Sequence, residues 1–305
     1  MDYALQISNL SKSYNGIEVV SNVNMKVKRE EIYGMIGPNG SGKTTIMKMI
    51  MNLLKPTGGE IEVLGEKITS SSHTYLKKIG SMIEYPILYE DLTSIENLEL
   101  HCKYMDIQDN HAVDEALELV SLKTGDKAVK HFSMGMKQRL GIARAIITKP
   151  ELLILDEPIN GLDPSGIKEM RSLLKRMTKE YKCTILISSH ILNEIENIAD
   201  TIGILKDGIL IEEVGMDTIH NKNVEYIELV TNDAKKAAYI LENELQLSNV
   251  KQMDQFTVLI YNSHSHQKEI VAKLISHHLE IEAINKRHNS LENHFLTTTS
   301  REEIR

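Results

Sequence analysis

Residues 36–45 read Ile36-Gly37-Pro38-Asn39-Gly40-Ser41-Gly42-Lys43-Thr44-Thr45. They fit the pattern of a phosphate-binding loop, which is a glycine, four residues, a second glycine, lysine, and then serine or threonine. Glycines let the backbone turn sharply, so that several N–H groups point at one anion. We expect Lys43 to reach the β- and γ-phosphates of a nucleotide and the Thr44 hydroxyl to ligate Mg²⁺.

The segments on either side of this loop support the phosphate interpretation. The apolar run Ile32–Ile36 predicts a strand before the loop, and Thr45–Leu54 predicts an amphipathic helix after it. A simple glycine turn is the alternative, since the pattern by itself also occurs by chance. A strand before the loop and a helix after it favour the phosphate site.

Two carboxylates follow another apolar run. Leu152–Leu155 predicts a buried parallel strand, and Asp156 and Glu157 come directly after it, at the edge where open α/β sheets bind ligands. Asp156 would hold Mg²⁺ and Glu157 would polarise an attacking water, whereas surface acids that merely end a strand are the alternative. His190 follows the predicted strand Thr184–Ile187, so it lies beside these acids if the two strands are neighbours.

Two further side chains are candidates for nucleotide contacts. Tyr14 lies at the turn between the predicted strands Tyr3–Ile7 and Glu18–Val27, where its ring can stack on a purine base or pack on its own hairpin. Ser133 is a predicted N-cap of a helix that runs through Ala145, and such a helix N-terminus is a second anion site.

Composition and charge limit the classes of partner. The chain has 305 residues, enough for two domains, and a net charge of −8, which argues against a broad surface for nucleic acid or anionic lipid. Residues 1–16 do not resemble a secretory signal, and no apolar run approaches the roughly eighteen residues that span a bilayer. Cys102 and Cys183 lie in unrelated segments, which favours a reducing cytosol over a disulfide framework.

The order of predicted elements divides the chain into two domains. Residues 1–218 form the phosphate-binding domain, which carries a helical insert at about 86–150. Residues 219–305 form a small α+β appendage with these predicted strands and helices: Val224–Val230, Ala234–Glu244, Phe256–Tyr261, Gln267–His278 and Ile281–Asn285. Four histidines of the appendage have no metal-ligand spacing and are predicted to be solvated: His264, His266, His277 and His278.

Together these segments resemble the nucleotide-binding subunit of ATP-binding cassette (ABC) transporters, over about Tyr3–Gly215. The resemblance implies an α/β fold: a P-loop NTPase core with an antiparallel β-subdomain and an inserted helical subdomain, followed here by the α+β appendage. In the family's terms, the matching segments are an adenine-stacking Tyr14, a Walker A loop at Gly37–Thr45, a signature at Phe132–Met136, Walker B acids Asp156 and Glu157, a D-loop at Asn160–Asp163 and a switch histidine, His190.

The resemblance also implies cofactors and partners. ATP and Mg²⁺ would be bound, with Glu157, His190 and Lys43 catalytic and with Thr44, Asp156 and Glu84 as metal ligands. The expected nucleotide contacts are Tyr14, Gly37, Pro38, Asn39, Gly40, Ser41, Gly42, Lys43, Thr44, Thr45, Glu84, Ser133 and Gly135. Two copies would sandwich ATP, so that Ser133 and Gly135 of one copy contact the γ-phosphate held by the other. The dimer would work with integral membrane permease subunits, from the cytoplasmic face of the membrane, and without nucleic acid.

Two positions depart from the family's usual pattern. The usual signature is Leu-Ser-Gly-Gly-Gln, whereas this chain has Phe132-Ser133-Met134-Gly135-Met136, and Met136 cannot make the hydrogen bonds of a glutamine. Glu84 stands where a glutamine is usual; it can ligate Mg²⁺ but cannot donate a hydrogen bond. These features resemble the bacterial cassettes that give immunity to lantibiotics and bacitracin-like peptides. The alternatives are a tolerated substitution in another ABC exporter or importer, or a soluble ABC ATPase that acts on nucleic acid or the ribosome, which the acidic charge disfavours.

Overall fold

The structure is a computed structural model that describes residues 2–221, 226–247, 249–261 and 267–287, together with Leu291, Phe295 and Thr298. The chain divides into two compact units, Met1–Met216 with Thr298–Arg305, and Asp217–Thr297. Within the described residues, no helix combines the length and the apolar character that are needed to cross a bilayer.

The first unit alternates strands and helices. Its strands are β1 (Tyr3–Tyr14), β2 (Ile17–Lys28), β3 (Ile32–Ile36), β4 (Gly58–Val63), β5 (Glu66–Lys67), β6 (Ile79–Met82), β7 (Leu152–Leu155), β8 (Thr184–Ser189), β9 (Thr201–Lys206) and β10 (Ile209–Gly215). Its helices are α1 (Lys43–Ile50), α2 (Ser94–Met105), α3 (Ala112–Leu119), α4 (Met134–Ile146), α5 (Pro164–Tyr181) and α6 (Leu192–Glu196), with short 3₁₀ turns at Thr74–Lys78 and Val129–His131. Helix α7 (Met216–Asn221) begins at Met216, which is the last residue of the segment Met1–Met216.

A six-stranded sheet forms the centre of the first unit, in the order β10-β9-β3-β8-β7-β6. Its strands pair in parallel except for β10, which is antiparallel to β9. Every residue of β3, β7 and β8 is buried, as expected for parallel strands covered on both faces. Since these three strands are adjacent and parallel, the residues that follow them, Gly37, Asp156 and His190, meet at one edge of the sheet.

A second, antiparallel sheet has the order β2-β1-β4-β5 and shares a hydrophobic core with α1. The predicted pairing of the first two strands is confirmed, but β1 continues to Tyr14 instead of ending at Ile7. The register of β1 against β2 shifts between Ile7 and Leu10, where Asn9 has a φ of +49°. Such a bulge adds a residue and breaks the alternation of apolar and polar side chains, which is why the sequence pattern ends too early.

The segment predicted as a helical insert, at about 86–150, contains the helices α2, α3 and α4. Helix α2 begins at Ser94 after a capping box, in which Thr93 accepts a hydrogen bond from Glu96 N and the Glu96 side chain bonds the Thr93 backbone. The helix predicted at Thr45–Leu54 lies earlier in the chain: α1 begins at Lys43 and ends at Ile50.

The second unit is a four-stranded antiparallel sheet with two helices. Its elements are β11 (Tyr226–Thr231), α8 (Ala234–Asn243), β12 (Val250–Gln252), β13 (Thr257–Tyr261), α9 (Gln267–Ser276) and β14 (Ile281–Arg287). The βαββαβ succession with sheet order β12-β13-β11-β14 is the ferredoxin-like topology, so the predicted α+β class is confirmed. Its core lies between the sheet and helices and includes Leu229, Ile240 and Leu274.

Several minor predictions concern cysteines and histidines. Cys102 and Cys183 are both buried free thiols. His277 Nε2 lies 3.0 Å from Glu244 Oε2, and no group of three or more His, Cys, Asp or Glu within the described ranges has a metal-binding arrangement. His264 and His266 lie outside the described residues.

Candidate nucleotide-binding and catalytic site

The loop between β3 and α1 has a backbone that only glycine adopts easily. Gly40 and Gly42 have φ values of +82° and +101°, in the left-handed region that L side chains rarely occupy. A Cβ on Gly37 would collide with the carbonyl oxygen of Leu205 and with Ser41 Oγ. The glycines are therefore required by the path of the loop, and this path leaves the N–H groups near the start of α1 available for an anion.

Lys43 is the first residue of α1, and its ammonium group lies beneath the loop. Its Nζ donates to the carbonyl oxygens of Gly37 at 2.8 Å and Pro38 at 3.0 Å. Burial lowers the pKa of Lys43, while the nearby charges of Glu157 and Asp156 act in the opposite direction. Two backbone carbonyl groups thus hold the ammonium group, and the charges of the two carboxylates favour its protonated form.

Two hydroxyl groups fix the carboxylate of Asp156, which is 3% exposed. Thr44 Oγ1 donates to Asp156 Oδ2 at 2.7 Å, and Ser188 Oγ donates to Oδ1 at 2.6 Å. Ser188 Oγ also accepts the backbone N–H of Glu157 at 2.9 Å. One hydroxyl at the end of β8 therefore positions both acids, and the oxygens of Thr44 and Asp156 are of the type that Mg²⁺ prefers.

Glu157 and His190 form a pair at the same edge of the sheet. His190 Nδ1 lies 2.9 Å from Glu157 Oε2, and Glu157 has a φ of +48°. The backbone of Glu157 is in a sparsely populated region for a non-glycine residue, a strain that is often found at functional sites. The pairing fixes the direction of the Glu157 carboxylate.

The candidate residues line two clefts that meet at Asp156 and Glu157. The first has a volume of about 260 Å³ and is lined by Tyr14, Val19, Asn39, Gly40, Gly42, Lys43, Thr44, Thr45, Asp156 and Glu157. Tyr14 is 46% exposed, and Lys12 Nζ lies 5.0 Å from the centre of its ring. Gly37, Pro38 and Ser41 belong to the loop but do not line this cleft; Ser41 Oγ is buried without a hydrogen-bond partner among the described residues.

The second cleft, of about 460 Å³, is lined by Glu84, Tyr85, Met134, Gln138, Asp156, Glu157, Asn160 and Gly161. Glu84 Oε1 lies 2.6 Å from Lys48 Nζ on α1 and makes no described contact with Thr44 or Asp156. Glu84 therefore shares a cleft with both acids and is paired with α1, the helix that follows the phosphate loop.

Ser133 and Gly135 line neither cleft of their own chain. Ser133 is the N-cap of α4, and its hydroxyl accepts the N–H of Met136 at 3.3 Å, as predicted for a cap. A Cβ on Gly135 would lie 3.2 Å from Leu162 Cδ2. The start of α4 thus packs on the turn after Glu157 and is separate from the phosphate loop of its own chain.

Two relevant residues were missed by the sequence interpretation. Ser188 comes directly after the predicted strand Thr184–Ile187, and its role depends on contacts with acids 31 and 32 positions away in the sequence. Lys48 looked like an ordinary polar position of an amphipathic helix, and its contact with Glu84 depends on the placement of α1 against β6.

A model of the ABC transporter family matches residues 20–160. An uncharacterised ABC transporter ATP-binding protein of Bacillus subtilis, YcbN, is 56% identical over 97% of this chain and 97% of its own length. This chain is an ABC transporter ATP-binding subunit. The ABC subunit is also 44% identical to the bacitracin transport ATP-binding protein BcrA of Enterococcus faecalis, over 97% of this chain and 96% of that protein. It is 44% identical to the lantibiotic transport ATP-binding protein SrtF of Streptococcus pyogenes, over 71% of this chain and 93% of that protein.

A solved structure gives the same result for the fold. The ABC subunit superposes with a TM-score of 0.64 on a dimeric ATP-binding cassette in a post-hydrolysis state bound to ADP and Pi, at 28% identity. The match covers 70% of this chain and 98% of that one. The ABC subunit is therefore an ATP-binding ATPase, of a family whose members pair with membrane permease components.

Proposed function

We propose that this ABC ATPase powers the export, or the removal from the membrane, of an antimicrobial peptide of the bacitracin or lantibiotic type. The observation that carries the proposal is the match to a bacitracin transport ATP-binding protein at 44% identity over 97% of this chain, which includes the second unit. A glutamate at position 84 and methionines at 134 and 136 are departures from the general family that agree with this assignment.

The test is the peptide tolerance of cells that express the chain with its own permease. We expect a lower growth-inhibiting concentration of bacitracin or a lantibiotic when Glu157→Gln replaces the parent, since that change removes the proposed base. If the assembled transporter hydrolyses ATP but the variant and the parent show equal tolerance to both peptide classes, the substrate is not such a peptide. Uptake of a solute that depends on the parent chain would instead favour an importer.

The site supports a division of roles in hydrolysis. Lys43 and the loop N–H groups would bind the phosphates, and Thr44 and Asp156, with Glu84 as a further oxygen ligand, would hold Mg²⁺, which supplies charge neutralisation at the β- and γ-phosphates. Glu157 would take a proton from the attacking water, and His190 would hold that carboxylate in place through Nδ1–H. With both ring nitrogens protonated, His190 would also donate through Nε2 to a γ-phosphate oxygen. Tyr14 would stack on the adenine ring.

We also propose a dimer in which the ATP lies between two copies. Ser133 and Gly135 lie away from the phosphate loop of their own chain, and Ser133 is at a helix N-terminus that favours an anion. These residues would reach the γ-phosphate bound by the second copy. The dimeric relative bound to ADP and Pi supports this arrangement.

The permease would dock on an exposed apolar patch beside Glu84, which we call the tyrosine patch: Tyr85, Ile87, Tyr89 and Tyr104, exposed by 74%, 84%, 52% and 69%. A hydrogen bond between Tyr89 and Tyr104 raises the pKa of Tyr89, which indicates that the two rings are held together. Monomeric proteins rarely expose several large apolar side chains together unless the patch is an interaction site. Docking there would hold the subunit at the cytoplasmic face of the membrane.

This docking can be tested by co-purification with the permease. Ile87→Asp should reduce recovery of the permease, because it places a charge in an apolar interface. Leu53→Asp is the matched control, since Leu53 is 70% exposed and lies outside the patch. Equal recovery with both variants would place the interface elsewhere, and RNA or DNA in the purified complex would favour the soluble ATPase alternative.

A further inference from the structure

Glu84 has an ionic partner that the sequence did not suggest. The residue follows β6 after Ile83 and has a φ of +62°, and its Oε1 lies 2.6 Å from Lys48 Nζ. Lys48 lies on α1, the helix that begins with Lys43 and Thr44. The helix that opens the phosphate site therefore also holds the Glu84 carboxylate.

The surroundings of Glu84 make this partner important. Glu84 lines the second cleft together with Asp156 and Glu157, so three carboxylates share one space. Like charges that are close together disfavour each other, and a cation beside one of them relieves the repulsion. Asp156 receives two hydroxyl donors and Glu157 lies beside His190, whereas Glu84 is held by Lys48.

The ion pair between Lys48 and Glu84 is weak enough for the carboxylate to change its partner. The side chains of Lys48 and Glu84 are 36% and 58% exposed, and ion pairs at such positions are individually weak. A divalent cation is a stronger partner for a carboxylate than one solvated ammonium group, since Mg²⁺ is a hard cation that selects oxygen ligands. A glutamine at this position would have no charge for Lys48 to hold.

We propose that Lys48 is a positioning residue that competes with Mg²⁺ for the Glu84 carboxylate, and so lowers the affinity of the nucleotide site for the metal. The proposal rests on the ATP and Mg²⁺ site described above. In this proposal the Lys48–Glu84 pair affects the affinity for the metal, whereas a purely structural surface contact would not. Release of Glu84 from Lys48 would then accompany loading of the site.

The test is a titration of the full chain with Mn²⁺ in the presence of a non-hydrolysable ATP analogue, followed by electron paramagnetic resonance. Lys48→Gln should tighten Mn²⁺ binding by about twofold to fivefold, the range expected for one exposed ion pair. In the Glu84→Gln background the same change should have no effect, because the carboxylate for which Lys48 and the metal compete is gone. Affinity for the analogue without metal should not depend on Lys48.

Two comparisons make the result decisive. Lys67→Gln is the matched control, because Lys67 Nζ pairs with Glu60 Oε1 at 2.5 Å on the exposed antiparallel sheet, and it should leave Mn²⁺ binding unchanged. An equal effect of Lys48→Gln in both backgrounds would show general repulsion of cations and would overturn the proposal, as would an unchanged affinity. Asp156→Asn should weaken Mn²⁺ binding strongly; if it does not, the metal site itself is wrongly placed and the inference about Lys48 falls with it.

Discussion

At the scale of single residues, the hydroxyl of Ser188 connects the two acids of the site. Its oxygen donates to Asp156 at 2.6 Å and accepts from the backbone of Glu157 at 2.9 Å, and the residue is fully buried. Ser188→Ala should therefore lower the free energy of unfolding by about 1–3 kcal/mol, the cost of leaving buried partners unsatisfied. It should also slow ATP hydrolysis, because the Asp156 carboxylate and the backbone of Glu157 lose a hydrogen-bond partner.

Denaturant unfolding and steady-state hydrolysis of the same preparation measure the two effects. Ser189→Ala is the control, since the Ser189 hydroxyl accepts the N–H of Ile191 and has no hydrogen bond to either acid among the described residues. If Ser189→Ala slowed hydrolysis as much as Ser188→Ala, the specific role of Ser188 would be refuted.

Glu157 offers the clearest prediction about chemistry. Glu157→Gln keeps the size of the side chain but removes the proton acceptor, so we expect ATP hydrolysis to fall by about 10²- to 10⁴-fold. ATP should remain bound and should stabilise the dimer, which size-exclusion chromatography with ATP would show as a shift to twice the mass. Rapid turnover in this variant would mean that another group activates the water.

The sequence was most informative at positions where the backbone conformation or the charge of the site requires a particular residue type. The loop glycines, Lys43 and the acids after β7 could be found because each belongs to a short continuous stretch of sequence, at 36–45 or 152–157. Ser188 and Lys48 could not, because their functions depend on contacts across 32 and 36 positions of sequence. A serine in a strand or a lysine on a helix is common, and only the fold selects these two.

At the scale of elements, the packing of α4 against the segment after β6 depends on Gly141. A Cβ at this position would lie 2.5 Å from Pro86 Cβ and 2.9 Å from Met82 Sδ. Gly141→Ala should destabilise the chain, because overpacking costs about 1–3 kcal/mol and exceeds the roughly 1 kcal/mol that alanine gains in a helix.

Thermal unfolding of Gly141→Ala and Gly58→Ala tests this packing. Gly58 is the control because no atom lies within 4 Å of its Cβ position, so we expect a change of at most about 0.5 kcal/mol there. Equal melting temperatures for Gly141→Ala and the parent would show that α4 can move away from Pro86 without cost.

Long regular elements were predicted well and irregular ones poorly. Strands β3 and β7 have the predicted bounds, because a continuous apolar run covers each of them. The second half of β1 was missed at its bulges, and β12 was missed because three residues carry too little pattern. The topology of the second unit follows from strand pairings that are distant in sequence, such as β11 with β14.

At the scale of the whole molecule, the two units have separate hydrophobic cores. We expect a fragment of residues 1–221, which keeps α7 complete, to fold and to bind ATP as the full chain does, since a domain with its own core can fold alone. Circular dichroism and the binding of a fluorescent ATP analogue measure both properties, with Lys43→Ala in the fragment as the control for site-specific binding. A fragment that is unfolded, or that has lost affinity for the analogue, would show that residues 222–305 are required by the first unit.

Both native thiols lie inside the protein. Burial raises the pKa of Cys183 to about 12 and also raises that of Cys102, so neither forms an appreciable thiolate near neutral pH. A fluorescent dye can therefore be attached through a new surface cysteine without first removing the natural ones. Distances between two labelled copies could then be followed in single molecules during turnover, in a chain that is otherwise unaltered.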